Sequence, residues 1–221
     1  MYPEIGEQFY LISARPEELD VLWDKGWRHF GIWFFRYSIN RENSAISRII
    51  PLRINLNNFS LNKNQRKIWR RNSDLEIRIG LPFIDEQRKR LFNRHKTRFK
   101  KNIPDTLENF LGDYPSFIPC KNLEFSLLNN GKIIAASYLD IGEKAVSSVY
   151  GIFDPEYRKR SLGIYTMLLE IMYAKKQGFQ FYYHGYATIE SSEYDYKKRF
   201  NSLEYYDWLQ NKWFNFFLKN Q

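Results

Sequence analysis

Residues 162–174 are apolar around almost the whole circumference of a helix, so they must be covered on nearly every side. Strand-like aromatic runs flank them at 147–153 and 179–183. Asp154-Pro155 makes a turn after the first run, and Arg158, Lys159 and Arg160 form a basic loop. Ser161 then sits where a helix N-cap is needed, its hydroxyl accepting from a backbone N–H one turn on. Gly178 marks the helix end. The pattern predicts a strand–loop–helix–strand unit at the centre of the fold, with a cationic loop at the helix mouth.

The rest of the chain supplies elements around that unit. Pro16, Glu17 and Glu18 open a helix with Leu19, Leu22 and Trp23 as its apolar stripe and Gly26 as its stop. Residues 27–37 are strand-like, with Gly31 at a bend, and 41–47 predict a polar loop. Residues 48–54 form a strand that Pro51 assigns to an edge or a bulge. A basic helix capped by Ser60 runs to Arg71, a strand covers 75–79, and a second basic helix covers 83–101. A short helix over 104–112 and a loop over 114–119 follow. Strands at 121–128 and 132–140 flank Asn129-Asn130-Gly131, a hairpin turn in which positive φ costs little. Residues 146–153 complete three consecutive antiparallel strands, and the aromatic tail at 208–217 packs on the body.

Composition narrows the class. The 221 residues are 43% hydrophobic and 18% aromatic, enough to fill one large core or two small ones. No apolar run reaches the ~18 residues of a membrane span, and no signal peptide is predicted. Cys120 is the one cysteine, which excludes an intramolecular disulfide and suits the cytoplasm. His29, His95 and His184 lie far apart, so spacing reveals no metal-ligand cluster, and no metal is expected. The net charge of +9 favours polyanionic partners such as nucleic acid.

Three antiparallel strands, a helix and a strand occur in that order in GNAT-type acyltransferases, where the loop before the helix holds a phosphate of the acyl carrier. The best match to that loop is Arg158-Lys159-Arg160-Ser161-Leu162-Gly163, with Ser161 in place of a glycine. The chain more specifically resembles the arginyl/leucyl-tRNA–protein transferase family. The residues that carry the resemblance are Phe153-Asp154-Pro155 with Ser161-Leu162-Gly163-Ile164-Tyr165, then Tyr183-His184-Gly185-Tyr186 and Tyr196-Lys197-Lys198-Arg199-Phe200. Upstream, Gly26-Trp27-Arg28, Pro51-Leu52-Arg53-Ile54 and residues 65–75 fit the same family in the same order. One departure is clear: the cysteine cluster usual in the N-terminal part is missing, since residues 39–48 contain none.

The resemblance implies an α+β, GNAT-like acyltransferase fold: a mixed, mostly antiparallel sheet flanked by helices, with a small N-terminal α/β part. It divides the chain into an N-terminal part, 1–73, and a catalytic part, 74–221. The implied reaction is transfer of arginine or leucine from tRNA to an N-terminal amine, the chemistry of the N-end rule. Its partners are aminoacyl-tRNA and a protein or peptide N-terminus, with no cofactor and no membrane. The alternatives are an acyl-CoA-dependent N-acyltransferase, which would take acetyl-CoA, and a non-catalytic tRNA-binding relative. Aminoacyl-tRNA is already an activated ester, so the enzyme must position the amine, deprotonate it and stabilise an oxyanion. Tyr150, Asp154 and His184 are the catalytic candidates, with His184 as base and Asp154 orienting the amine. Arg158, Arg160, Ser161, Leu162, Gly163 and Tyr165 are the candidates for donor binding. Tyr183, Gly185, Tyr186, Tyr196 and Lys197 are those for contact with the acceptor or tRNA.

Overall fold

The computed structural model describes residues 2–42, 45–192 and 194–216. The chain enters through β1 (Gly6–Tyr10), α1 (Pro16–Asp24), β2 (Arg28–Phe30) and β3 (Trp33–Tyr37). These strands make a small antiparallel sheet in the order β1-β3-β2, with Gly31 (φ +50°) in the turn between β2 and β3. β4 (Ile39–Glu42) and β5 (Ala45–Asn55) pair where a loop was expected; residues 43 and 44, at the tip, lie outside the described residues. Next come α2 (Lys63–Arg71), β6 (Glu76–Gly80), α3 (Glu86–Lys96) and the single turn α4 (Glu108–Leu111). The meander β7 (Asn122–Asn129), β8 (Lys132–Ile141) and β9 (Ala145–Phe153) leads through a 3-10 turn (Pro155–Arg160) into α5 (Leu162–Lys176). β10 (Phe181–Thr188), a second 3-10 turn (Asp195–Arg199), β11 (Leu203–Asp207) and β12 (Lys212–Asn215) are the last described elements.

Caps set the helix ends, and they differ from the expected ones. Asn62 rather than Ser60 starts α2: its side chain accepts from the Gln65 N–H at 2.9 Å, and Gln65 Oε1 accepts from the Asn62 N–H at 3.0 Å. α3 is shorter than the basic pattern suggests, because Asp85 caps it by accepting from the Arg88 N–H at 2.9 Å.

The main sheet has nine strands among the described residues, in the order β12-β11-β5-β10-β9-β8-β7-β6, with β4 on β5. β5 is thus central, between β10 and β11, although it belongs to the first 73 residues. Pro51 falls between the stretch of β5 paired with β4 and the stretch paired with β11, where that side of the strand has no strand neighbour. Ile50, Leu52 and Ile54 of β5 share one core with Leu162, Tyr165, Leu168 and Ile171 of α5. A boundary at 73/74 therefore runs through one sheet and one core. On another face of the sheet, Leu91, Phe92, Leu107 and Leu111 of α3 and α4 and the residue before it pack on Ala136, Tyr138 and Ile152.

β9 and β10 are the parallel pair. Their ladder runs from Ala145↔Phe181 to Ser147↔Tyr183 and then ends. Beyond it β9 keeps to β8 and β10 keeps to β5, and each strand bulges at once, at Val149 and at His184. The strands part and leave a cleft beside the start of α5. An antiparallel meander, a crossover helix and a splayed parallel pair make this an α+β, GNAT-like fold.

Two expectations at the helix entrance are corrected. Asp154 is not placed for catalysis. It is fully buried, accepts from Arg94 Nη2 at 2.9 Å and from the Glu156 N–H at 3.1 Å, and caps the 3-10 turn. Ser161 does precede α5, but in the left-handed conformation (φ 56°, ψ 45°), and its hydroxyl makes no cap bond. The 3-10 turn uses up the residues that would otherwise give Ser161 an extended approach. We expect Asp154→Ala to lower the unfolding free energy by about 1–3 kcal/mol, since a cap and a buried acceptor are lost. Urea denaturation reads this out, and an unchanged midpoint would return Asp154 to the catalytic candidates.

Candidate active site

The cleft between β9 and β10 holds a cavity of about 270 Å³. Tyr150 and Val149 from β9, His184 from β10 and Gly163 and Thr166 from α5 form its walls. Tyr196 and Lys197 close it from the second 3-10 turn, and His95 and Arg98 from α3 and the residues after it lie at its rim. Arg28 enters from the small N-terminal sheet. Among the described residues lining it there are three cations, Arg28, Arg98 and Lys197, and no carboxylate.

Arg28 and Lys197 meet over Gly185. The Arg28 Nη2 donates to the bulged Val149 carbonyl at 3.2 Å, whereas its buried Nη1 has no hydrogen-bond partner among the described residues. Lys197 Nζ donates to the Tyr186 carbonyl at 3.1 Å and lies 5.5 Å from the Tyr194 ring centre. Gly185 has φ +90°, and a Cβ there would stand 2.7 Å from Arg28 Nη1 and 3.2 Å from Lys197 Nζ. The glycine is what lets both cations lie against the backbone. Burial, and then the neighbouring guanidinium, push the Lys197 ammonium down to about 7.

The other titratable groups are tuned by the same enclosure. Burial and then the Lys197 charge lower His184 to about 3, so its imidazole is neutral at physiological pH. Its Nε2 lies 3.1 Å from the Lys197 carbonyl, which only accepts, so Nε2 carries the hydrogen. The bare Nδ1 is buried without a hydrogen-bond partner among the described residues. A group with so low an affinity for protons is a poor base at pH 7, contrary to the expected role of His184. Tyr150 stacks on Phe110 (3.8 Å between centroids, 9° between planes), its buried hydroxyl has no hydrogen-bond partner among the described residues, and burial raises its pKa. His95 is lowered to about 4 by burial and accepts from the Phe153 N–H at 3.0 Å, tying α3 to the end of β9. Below the cavity, Glu170 of α5 accepts from the Tyr182 hydroxyl at 2.6 Å, and burial raises its carboxyl to about 7.

Of the expected site residues, Tyr150, His184, Gly163, Tyr196 and Lys197 come together around this cavity, and Gly185 supports its cations. Others do not reach it. Leu162 and Tyr165 are core, with Tyr165 edge-on to Trp69. Arg160 is held by Asp74 through two 2.8 Å bonds, and Arg158 is exposed outside the cavity. Tyr183 points to the other face of β10, where it accepts from Arg53 Nη1 at 3.2 Å and packs beside Trp23 and Trp213. The Tyr186 hydroxyl donates to the Gly26 carbonyl at 2.7 Å, holding the N-terminal sheet in place. Arg28, Arg98 and Glu170 were not singled out from sequence. Arg28 stood within the Gly26-Trp27-Arg28 motif, but no local pattern joins it to a cavity more than a hundred residues away.

A second buried cluster also escaped the spacing. His29, Cys120 and Asp140 bring ligand atoms within 4.8 Å of one another. Protein groups already occupy it: His29 bonds Asp140 Oδ2 at 2.7 Å and the Gly31 carbonyl at 2.8 Å, and Asn122 donates to Asp140 Oδ1 at 2.8 Å. It fastens β2 to β7 and β8.

Glu170 gives a stability test. Its folded pKa of about 7 exceeds the ordinary 4.5, so its contribution is fully present below about 4.5 and is lost as pH rises through 7. Glu170→Gln cannot ionise, so we expect wild type to lose on the order of 3 kcal/mol more than the variant between pH 4.5 and 8. Urea unfolding at both pH values measures this, and equal losses would refute it.

Comparison with known proteins identifies the family. Residues 87–207 match the model described as arginine-tRNA-protein transferase, C terminus. The aspartate/glutamate leucyltransferase of Leptospira interrogans serovar copenhageni is 30% identical over 207 residues, covering 89% of this chain and 79% of that protein. That of Saccharophagus degradans is 29% identical over 172 residues, 76% of this chain and 71% of that protein. Among solved structures, FemX aligns with TM-score 0.47 and 13% identity over 86% of this chain and 65% of that one. The chain therefore belongs to the arginine-tRNA-protein transferase family, as an aminoacyltransferase that uses charged tRNA as donor.

Proposed function

We propose that the protein transfers leucine from leucyl-tRNA to the α-amine of proteins beginning with aspartate or glutamate, in the cytoplasm and without a cofactor. The observation that carries the acceptor class is the cavity's pair of half-buried cations, Arg28 and Lys197, with the buried Arg28 Nη1 unpartnered among the described residues and no carboxylate among the described lining residues. An unpaired cation in a low-dielectric site is costly, and an acidic side chain supplies its missing partner. The leucyl donor is suggested by the relatives, which are aspartate/glutamate leucyltransferases.

In this reading the acceptor's carboxylate lies on Arg28, which brings its α-amine to the opening beside Tyr150 and His184. The leucyl ester enters from the mouth near Gly163. The amine nitrogen attacks the ester carbonyl, a C–N bond forms, and the C–O bond to the tRNA ribose breaks. One proton of the original ammonium leaves before attack; a second passes from nitrogen to the departing ribose oxygen. The Tyr150 hydroxyl, without a hydrogen-bond partner among the described residues, is a donor for the oxyanion. Exposed Arg66, Lys67, Arg70, Lys89, Arg90, Arg158 and Lys159 offer phosphate contacts outside the cavity.

The test is incubation with leucyl- or arginyl-tRNA and peptides beginning with Asp, Glu, Asn or Lys. We expect leucine on the Asp and Glu peptides alone. Labelling only from arginyl-tRNA would overturn the donor, and equal labelling of Asn and Asp peptides would overturn the acceptor. Arg28→Met should raise KM for the Asp peptide about 10–100-fold, the worth of a charge-assisted bond, with leucyl-tRNA affinity unchanged. An unchanged KM removes Arg28 from the acceptor site.

A further inference from the structure

We propose that Lys197 is the base that takes the proton from the acceptor's α-ammonium, and that the acceptor's own acidic side chain prepares it to do so. The proposal rests on the acceptor reading above and adds the proton's route. Geometry comes first. Lys197 Nζ lies against Gly185, close to where the Arg28 guanidinium meets the same glycine, and both side chains line the cavity. A carboxylate bound to Arg28 Nη1 is therefore close to the Lys197 nitrogen as well. The amine of that same residue is three bonds from the carboxyl carbon in aspartate and four in glutamate, within reach of Nζ.

The surrounding charges explain why this lysine can act as a base. Facing it are Arg28 from β2, His184 and Tyr186 from β10, and Tyr150 from β9. Arg98 and His95 lie across the cavity, Tyr194 and Tyr196 belong to its own turn and the residue before it, and Glu170 lies beneath. Burial and Arg28 favour the neutral amine, so a share of Lys197 is unprotonated at pH 7. A base matched to the working pH is the efficient one. His184, lowered to about 3, is too weak to fill that role.

Binding then changes the balance. The acceptor's carboxylate offsets the Arg28 charge beside Lys197, so the lysine's affinity for a proton rises just as the ammonium must lose one. The proton moves from the α-ammonium to Nζ, the nitrogen lone pair is freed for attack, and Lys197 returns its proton to solvent after product leaves. A neutral side chain in place of Asp or Glu brings no such charge. Preference for acidic acceptors is then partly a preference in kcat and not only in KM.

The experiment is single-turnover transfer from leucyl-tRNA to Asp and Asn peptides at pH 6 to 9, with wild type, Lys197→Arg and Lys197→Gln. Lys197→Arg keeps the charge but cannot give up its proton. We expect it to bind the Asp peptide within threefold of wild type. At pH 7 its transfer rate should fall about 100-fold or more, the usual worth of general base catalysis. The deficit should shrink as pH rises past the acceptor amine's own pKa of ~8, where no base is needed. A loss equal at every pH, or a rate within threefold of wild type at pH 7, overturns the proposal. Wild type that labels no acidic peptide overturns the acceptor reading itself, and this proposal with it. A second measurement uses wild type alone: NMR of lysine Nζ groups labelled with nitrogen-15. One lysine should titrate near pH 7 and move up by about one unit or more when saturating Asp peptide, but not Asn peptide, is added. If every lysine titrates above pH 9, Lys197 is not the base.

Discussion

β9 and β10 hold to one another for three residues and then separate, and the site depends on that parting. Two bulges, at Val149 and His184, follow directly on the last paired residues, Ser147 and Tyr183. A bulge breaks the ladder and re-aims the groups beside it. Here the Val149 carbonyl turns to Arg28, and the His184 ring turns to the Lys197 carbonyl. The guanidinium of Arg28 lies in the opening, against a backbone that only Gly185 makes low enough to receive it. This one half-buried cation then acts on the electrostatics of its neighbours. It lowers Lys197 and, more weakly, His184, and it acts on Glu170 in the opposite sense to burial.

The scaffold around the opening is stiff for ordinary reasons. α5 is covered on nearly all sides, with Leu168 and Ile171 fully buried, so its start cannot drift relative to β9. Gly163 keeps that start close to Phe153, where a Cβ would come within 3.2 Å of the ring. His95 ties the end of β9 to α3, and Asp154 ties the following turn to Arg94. The N-terminal part is bound into this scaffold twice. It supplies β5 to the middle of the main sheet, and it carries Arg28 to the cavity on a small sheet fastened by Tyr186 and by the His29–Asp140 pair. Residues 39–48 hold no cysteine, and the N-terminal part still furnishes a cation of the site.

By itself the sequence determined the elements whose signals are local. Apolar coverage of residues 162–174, the Asn130-Gly131 turn, Pro16 with its acids and Gly178 all stand where the pattern put them, because φ preferences and helix periodicity act over a few residues. Six residues of the family motifs line the cavity: Arg28, Phe153, Gly163, His184, Tyr196 and Lys197. Three things only the tertiary structure decided. Strand alternation past a bulge is shifted by one residue, so the face on which Tyr183, His184 and Tyr186 lie was not legible from their spacing. The partners of Asp154 and Arg160 come from α3 and from Asp74, far away in sequence, and so two charges that looked free proved to be structural. The joining of Arg28 to Lys197, 169 positions apart, depends on how a small sheet docks on a large one. No periodicity records that contact, because it arises from packing between surfaces and from the space one glycine leaves.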